Sequence, residues 1–428
     1  MTTEGPKNLS AKEAKALPAI LKMMAKANID PGFIQKKKPT DPNEKRERLV
    51  DYHTNVLKGL LSRLANMRSA RNSDSPDTDI FVKKLERLVG GDESETALTT
   101  EVILFPTCTN EDTIASAFAV DISQHTIDDS VSDQLREMTS KISKWHSDDL
   151  PFHTFEHASH TVLSITKLLA AIETTDLSTD TVLFKTKSMI THPLTQFVLV
   201  FAALVHDSGR TEDTPMKRLE AAEKSNQRAW SLFMEPSFID LRRTICRSRH
   251  DFEFFRRLLK KSILVASGAD TGPVGDRSNG GSSRSLSSKK ISSFAENQEA
   301  SLKALAIVVK VLRVSNISYA LQHFLVFQKW NKLLFEEAYQ AYQSKSNDHG
   351  EDKETDPSSS WYERELESFG DRIRLVTELR DSGVCNKLAD VYLSAAIANR
   401  REWERRGKPI VDEYLDNDYS LQRRRASN

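Results

Sequence analysis

Residues 194–207 read LTQFVLVFAALVHD, an apolar segment that ends in an adjacent histidine and aspartate. Its core, Phe197 to Val205, is the longest apolar run of the chain. A run of this length with apolar residues on every side predicts a buried helix. His206 and Asp207 then lie where the helix leaves the core, and groups from other elements can converge on them.

A second short stretch supplies such groups. His153-Thr154-Phe155-Glu156-His157 places two imidazoles four residues apart, so on a helix both would project from one face. Neutral imidazole and carboxylate are ligands that suit zinc, magnesium and manganese. His157, His206 and Asp207 therefore predict a three-ligand site for a divalent metal. The alternative is that each histidine is an ordinary core residue with its hydrogen bonds satisfied.

Helical periodicity dominates the rest of the chain, and alternating apolar and polar runs are nearly absent. An amphipathic helix is predicted from Leu49, with apolar positions through Leu64. Further helices are predicted at 131–145, 158–172, 194–205 and 219–233. The predicted fold class is all-α, a compact multi-helix bundle with loops inserted into one domain.

Composition shifts suggest the segment boundaries. Residues 1–45 are predicted to be a mobile lead-in, and 46–100 an amphipathic helix followed by a polar linker. Residues 101–414 form the predicted main domain, with a Gly/Ser-rich disordered insertion at 268–293 and a polar loop at 344–360. Residues 415–428 are a basic tail in which Ser427, after three arginines, is a candidate kinase target.

Composition also excludes several classes of protein. Sixty-one basic and sixty-one acidic residues balance, which argues against nonspecific nucleic-acid binding. Three widely separated cysteines predict no disulfide framework and a reducing, cytoplasmic location. The start of the chain lacks the apolar core of a signal peptide, and no run approaches the roughly 20 residues that span a bilayer. The sequence does not indicate the oligomeric state.

Three segments carry a resemblance to a known family. PFHTFEHASHTV (151–162), LTQFVLVFAALVHD (194–207) and VLRVSNISYALQHFLVFQKWNKLLFEEAYQAY (311–342) resemble the catalytic domain of class I 3',5'-cyclic nucleotide phosphodiesterases, especially divergent algal and protist members. The resemblance implies an all-helical metallohydrolase domain of the HD type. It also implies two metals that hold a bridging hydroxide, and a histidine that protonates the departing O3' of the nucleotide.

The resemblance assigns roles to individual residues. It implies that His153 is the general acid and that His157, His206 and Asp207 are metal ligands. Glu223, in AEKSN, resembles the family's glutamate that orients the acid histidine. A surface charge pairing with a residue four positions away is the alternative for Glu223.

The chain departs from the family at two metal positions. The family's HDxxH reads His206-Asp207-Ser208-Gly209-Arg210 here, so a permanent cation replaces an imidazole. The family's second metal-ligating aspartate is Asn316, an amide that carries no charge. Together the two changes move the site by two charge units toward positive, and at about 4 Å each unit pair costs on the order of 4 kcal/mol. We therefore expect one divalent metal (Zn, Mg or Mn) rather than two, with Asn316 as a weakened ligand.

Three residues are candidates for contacting substrate. Arg210 either grips a phosphate with two parallel hydrogen bonds or turns outward to solvent. Glu365 takes the place of the family's purine-reading glutamine, which would suit guanine, or lies on a solvated helix face. Phe369 either stacks on the base or is a core aromatic.

Two functions follow as hypotheses. The first is metal-dependent hydrolysis of cAMP or cGMP to the 5'-monophosphate, with impaired turnover. The second is an inactive relative that binds cyclic nucleotide or acts as a regulatory partner. A different HD-type phosphohydrolase of nucleotides is a more distant third hypothesis.

Overall fold

The computed structural model describes residues 41–71, 127–147, 149–177, 180–210, 215–268, 288–346 and 356–426. Within these ranges the chain forms α-helices and short 3-10 turns and contains no strand, which confirms the predicted all-α class. The helices are α1 (Pro42–Arg71), α2 (Asp129–Ser143), α3 (Phe155–Thr174), α4 (Thr181–Thr191), α5 (Pro193–Val205), α6 (Pro215–Met234), α7 (Ile239–Ile245), α8 (Arg249–Ala266), α9 (Ser288–Asn316), α10 (Phe324–Ser346), α11 (Trp361–Asp381) and α12 (Asn386–Ala426).

Helix α5 is the centre of the larger core. All thirteen of its residues are buried, and the helix packs on α3 and α8. Its large side chains, such as Phe197 and Phe201, each contribute about 1.5–3 kcal/mol through burial. The prediction of a buried helix at 194–205 is confirmed, because every residue of this segment is buried.

A second, aromatic cluster lies among α10, α11 and α12. It is formed by buried rings that include Phe327, Trp330, Phe369 and Trp403. Phe152, from the turn before α3, also belongs to this cluster. The start of α3 therefore lies where the two clusters meet.

Side-chain caps set where several helices begin. Thr154 caps α3 by accepting a hydrogen bond from the amide of His157, and Asp180 caps α4 through the amides of Val182 and Leu183. At α5, Nδ1 of His192 accepts from the amide of Leu194. Each cap satisfies an amide that the first turn would otherwise leave without a partner.

The predicted segments are only partly described. The chain divides into two compact units, Met1–Glu47 and Arg48–Asn428. Residues 1–40 of the expected lead-in, most of the insertion at 268–293, and Ser427 lie outside the described residues. Helix α9 begins at Ser288, inside the expected insertion, and α12 continues to Ala426, through most of the expected tail.

No single helix among the described residues is both long and apolar enough to cross a bilayer. The pair α4 and α5 meets the length and composition test when the two are taken together, but it is bent by 56°.

Candidate metal centre and acid histidine

The turn that follows α5 contains His206 and Asp207. The hydroxyl groups of Ser225 and Ser267 form hydrogen bonds that hold its backbone in place. Oγ of Ser225 on α6 donates to the His206 carbonyl at 3.0 Å and accepts from the amide of Gly209 at 2.9 Å. Oγ of Ser267, just beyond α8, lies 3.0 Å from the same carbonyl. A Cβ on Gly209 would lie 2.4 Å from the carbonyl oxygen of Ala221, so α6 leaves room only for glycine. These contacts fix the backbone from which the two side chains project.

The start of α3 positions His157. Its backbone amide donates to the Thr154 cap at 3.3 Å, and its ring is buried. Because the helix begins at Phe155, His153 lies in the turn before it rather than on a shared helical face. The expected common face is therefore wrong, and the Thr154 cap is the physical reason.

The three predicted ligands do come together. Potential ligand atoms of His157, His206 and Asp207 all lie within 4.8 Å of one another. Oδ2 of Asp207 lies 3.3 Å from Nδ1 of His157 and 2.9 Å from Nε2 of His206. None of these three atoms has a partner with hydrogen-bond geometry, although all three are buried. Buried atoms that are close together and unsatisfied fit a cation, because a bound ion would satisfy them all.

Two of these groups are in the charge state that a metal ligand needs. Burial lowers the pKa of His157 to about 4, so the ring is neutral near pH 7. Burial alone would raise the pKa of Asp207, but the neighbouring His206 and His153 rings outweigh it and hold that pKa well below its usual range.

His206 is held in the tautomer that a ligand requires. Its Nδ1 lies 2.9 Å from the Ala203 carbonyl and donates to it, so in the neutral ring Nε2 carries the lone pair. Burial would lower the pKa of His206, but the charge of Asp207 outweighs burial and raises it. A metal ion at this site therefore competes with a proton on His206.

His153 is bound to a carboxylate, but that carboxylate is Glu337 rather than Glu223. Nδ1 of His153 donates to Oε1 of Glu337 on α10, while Oε2 accepts the backbone amides of Phe152 and His153 at 2.9 and 3.1 Å. Burial opposes ionisation of Glu337, yet the hydrogen bond and charge of His153 lower its pKa, so it remains a carboxylate. Glu223 is exposed on α6, and the expected contact with His153 is not formed.

Aromatic rings contact His157 and its neighbour His153. The ring centroid of Phe152 lies 4.3 Å from that of His157, and those of Trp330 and Tyr319 lie 5.6 and 6.4 Å away. The centroids of the His153 and His157 rings are 5.9 Å apart. His153 and His157 are therefore neighbours beside a group of aromatic rings.

Arg210 turns inward. Its Nε lies 3.1 Å from Oδ1 of Asp207, and its Nη2 lies 3.5 Å from the Ser267 carbonyl. Its side chain is only 12% exposed. The outward, solvated orientation is therefore wrong, because the ionised Asp207 attracts the guanidinium.

Asn316 ends α9 near this turn. Its Nδ2 donates to the Ala266 carbonyl at 2.8 Å, one residue before the Ser267 that contacts His206. Its Oδ1 is buried and has no hydrogen-bond partner. Oδ1 of Asn316 is thus available as a metal ligand, but it carries no charge.

Glu365 and Phe369 belong to the interior of the second cluster. Oε1 of Glu365 accepts from Nη2 of Arg372, and Oε2 accepts from Nδ2 of Asn331, both at 2.5 Å. The solvated helix face is therefore wrong for Glu365, since its side chain is only 6% exposed. Phe369 is fully buried, and the guanidinium of Arg372 lies 5.0 Å from its ring centroid.

Two functional contacts were absent from the sequence-based predictions. Glu337 lies within segment 311–342, and its place among aromatic residues in FEEAYQAY was the available signal. Ser225 lies two residues after Glu223, and nothing in its local sequence indicated the clamp on the His206 turn.

The chain matches no family model and no curated protein. Among solved structures it is similar to the phosphodiesterase domain of the RhoPDE fusion protein from the choanoflagellate Salpingoeca rosetta, at 15% identity and a TM-score of 0.48, covering 78% of this chain and 99% of that chain. A second similar structure is the phosphodiesterase domain of Salpingoeca rosetta rhodopsin phosphodiesterase, at 15% identity and a TM-score of 0.49, covering 73% and 92% of the two chains.

Proposed function

We propose that the protein is a metal-dependent phosphodiesterase of 3',5'-cyclic nucleotides with low turnover, acting in the cytoplasm in signal transduction. One observation carries the proposal. A histidine bonded to a half-buried carboxylate, His153 with Glu337, lies beside three unsatisfied ligand atoms of His157, His206 and Asp207. A proton donor next to a cation site is the combination that phosphate ester hydrolysis needs.

His153 has the geometry of a general acid. Because Nδ1 donates to Glu337, Nε2 is the ring atom left to deliver a proton to the leaving oxygen. The hydrogen bond to Glu337 fixes the orientation of the ring, and the bonds of Glu337 to two backbone amides keep the carboxylate in place. Hydrolysis would break the bond between phosphorus and O3' as water adds to phosphorus.

The cation supplies the other half of the chemistry. His157, His206 and Asp207 would hold one divalent ion, which provides Lewis-acid stabilisation of the phosphate charge. Zinc, manganese and magnesium all accept such ligands, and the mixture of imidazole and carboxylate favours zinc or manganese. Asn316 could add only a neutral oxygen.

Arg210 and Asn316 support low turnover and also favour a second candidate function. With a guanidinium paired to Asp207 and an amide at the end of α9, the site has fewer negative charges than two metals require. An inactive relative that binds cyclic nucleotide without cleaving it is therefore the alternative. The test must distinguish binding from turnover.

The experiment measures bound metal and the hydrolysis of cAMP and cGMP for the full chain in Mg2+, Mn2+ and Zn2+. We expect slow release of 5'-monophosphate, and a decrease of about 10²–10⁴-fold in kcat for His153→Asn with unchanged metal content. His157→Ala should abolish metal binding as well as activity. A matched control is His160→Asn, one turn further along α3, where the ring contacts Gln322 and Ser318 instead of the ligand cluster.

The outcomes separate the candidates. If wild-type protein that contains metal binds nucleotide but releases no product, the protein is a nucleotide-binding protein rather than an enzyme. Two tightly bound ions and fast turnover would show that low turnover was wrongly proposed. Neither metal nor nucleotide binding would reject both functions.

A further inference from the structure

The carboxylate of Asp207 is divided between two kinds of partner. Oδ1 faces Nε of Arg210 at 3.1 Å, whereas Oδ2 lies near Nδ1 of His157 and Nε2 of His206. The side chain of Asp207 is 2% exposed and that of Arg210 is 12% exposed. Water therefore screens their attraction only weakly.

We propose that Arg210 is a resident cation that takes the place of one metal ion beside Asp207. The guanidinium neutralises and positions Oδ1 permanently, and leaves Oδ2, with the two imidazoles, for a single exchangeable divalent ion. This inference rests on the proposed function only in its premise that a metal binds at His157, His206 and Asp207.

The surroundings of Arg210 support this role. Nη2 of Arg210 also lies 3.5 Å from the Ser267 carbonyl, a neutral group just beyond α8. The ion pair places Nε of Arg210 3.1 Å from Oδ1 of the buried Asp207. A second divalent ion at Oδ1 would have to displace a guanidinium that cannot lose its proton.

Two consequences follow for metal binding. The metal-free protein already has a partner for Asp207, so removal of metal should destabilise it little. The bound ion lies close to a fixed positive charge, so its affinity should be lower than the three ligands alone would give. Both consequences disappear when the guanidinium is removed.

The test is Mn2+ binding to the full chain, measured by equilibrium dialysis and by the electron paramagnetic resonance of free Mn2+. Wild-type protein should bind one ion. Arg210→Met should also bind one ion, but at least about tenfold more tightly, because the fixed positive charge paired with Asp207 is removed. Arg210→Lys keeps the charge and should retain the weak affinity.

A matched control is Arg228→Met. Nη1 of Arg228 donates to the Ser208 carbonyl of the same turn, so this variant also removes a nearby cation, but one without contact to Asp207. We expect its Mn2+ affinity to change by less than about threefold. An equal gain in both variants would mean that general charge, rather than the Arg210–Asp207 pair, controls the site.

Thermal unfolding gives a readout independent of activity. In EDTA, wild-type protein should unfold within a few degrees of its metal-loaded Tm, whereas Arg210→Met should lose clearly more on chelation. Bound Mn2+ with equal affinity in wild type and Arg210→Met would overturn this inference and leave the metal centre intact. No Mn2+ binding by either protein would reject the proposed metal centre together with the inference.

Discussion

Glu337 lies 184 residues after His153 in the chain and binds it through both carboxylate oxygens. One oxygen accepts from the imidazole ring and the other from the backbone amides of Phe152 and His153. The contact joins α10 to the turn before α3, so His153 is held by α10 as well as by its own chain segment. We expect Glu337 to be a positioning residue.

Glu337→Gln should lower kcat by about 10–100-fold with little change in KM, because the amide keeps one acceptor but no longer gives the His153 ring and the two backbone amides a charged partner. The decisive measurement is a double-mutant cycle. In a His153→Asn background the same substitution should cost almost nothing in kcat. Glu336→Gln, at the neighbouring position, is the control, and an effect of Glu337→Gln that persists without His153 would show a purely structural role.

Gly209→Ala should destabilise the fold by about 1–3 kcal/mol, since the new methyl group would collide with the Ala221 carbonyl and force the His206 turn away from α6. Denaturant unfolding measures this loss, and metal affinity should decrease with it. Gly370→Ala is the matched control. That glycine is exposed on α11 with open space around its Cα, so alanine there should be neutral or stabilising by up to about 1 kcal/mol.

His53 should make the folded state sensitive to acid. Its Nε2 lies 2.8 Å from Oγ of Ser159, which itself donates to the Phe155 carbonyl, so Nε2 is the donor and the buried Nδ1 has no partner. Burial lowers the pKa of His53 to about 3. At pH values between about 6.5, the ordinary histidine pKa, and the lowered value, His53 is protonated in the unfolded chain but not in the folded protein. The free energy of unfolding is therefore largest near neutral pH and decreases as the pH falls through this range.

The measurement is the free energy of unfolding at several pH values from 7 to 4. His53→Gln should reduce the slope by up to about 1.4 kcal/mol per pH unit, the contribution of one proton. Other buried histidines account for the remaining pH dependence of the free energy of unfolding. One of them is His146, because burial lowers its pKa to about 4. An unchanged slope in His53→Gln would contradict this assignment.

Glu365→Gln should affect stability rather than base preference. The carboxylate is paired with Arg372 inside the second cluster, and loss of its charge leaves a buried guanidinium without its counterion. We expect a loss of about 3–5 kcal/mol in the free energy of unfolding, with the ratio of cAMP to cGMP binding unchanged. Asp51→Asn, in an exposed pair with Arg136, should cost less than about 1 kcal/mol. A change in the ratio of cAMP to cGMP binding would instead indicate that Glu365 contacts the base.

The features that the sequence predicted well depend on short stretches of chain. The buried helix at 194–205 follows from an apolar run, and the convergence of His157 with His206 and Asp207 follows from two short motifs. The burial of Glu365 had a local signal too, because Arg372 follows seven residues later on the same face of α11. Asn331, the other partner of Glu365, comes from α10 and could not be inferred from that spacing.

The sequence-based predictions that were wrong or missing concern contacts between distant segments of the chain. Glu337 approaches His153 only because α10 packs beside the start of α3, and Arg210 turns inward only because Asp207 is buried and ionised. The start of α3 at Phe155 was a local matter, decided by the Thr154 cap. The sequence contained the signal for this helix start. It is Thr154, whose hydroxyl accepts a hydrogen bond from the backbone amide of His157, three residues later.

The complete burial of α5 also limits how this site can change during evolution. A helix enclosed on every side cannot shift or rotate without disturbing the whole larger core, so the positions of His206 and Asp207 are inherited with the fold. Arg210 lies five residues beyond the end of α5 and its side chain is 12% exposed, so it is not enclosed in this way. Substitution there can change the charge beside Asp207 while the surrounding architecture persists.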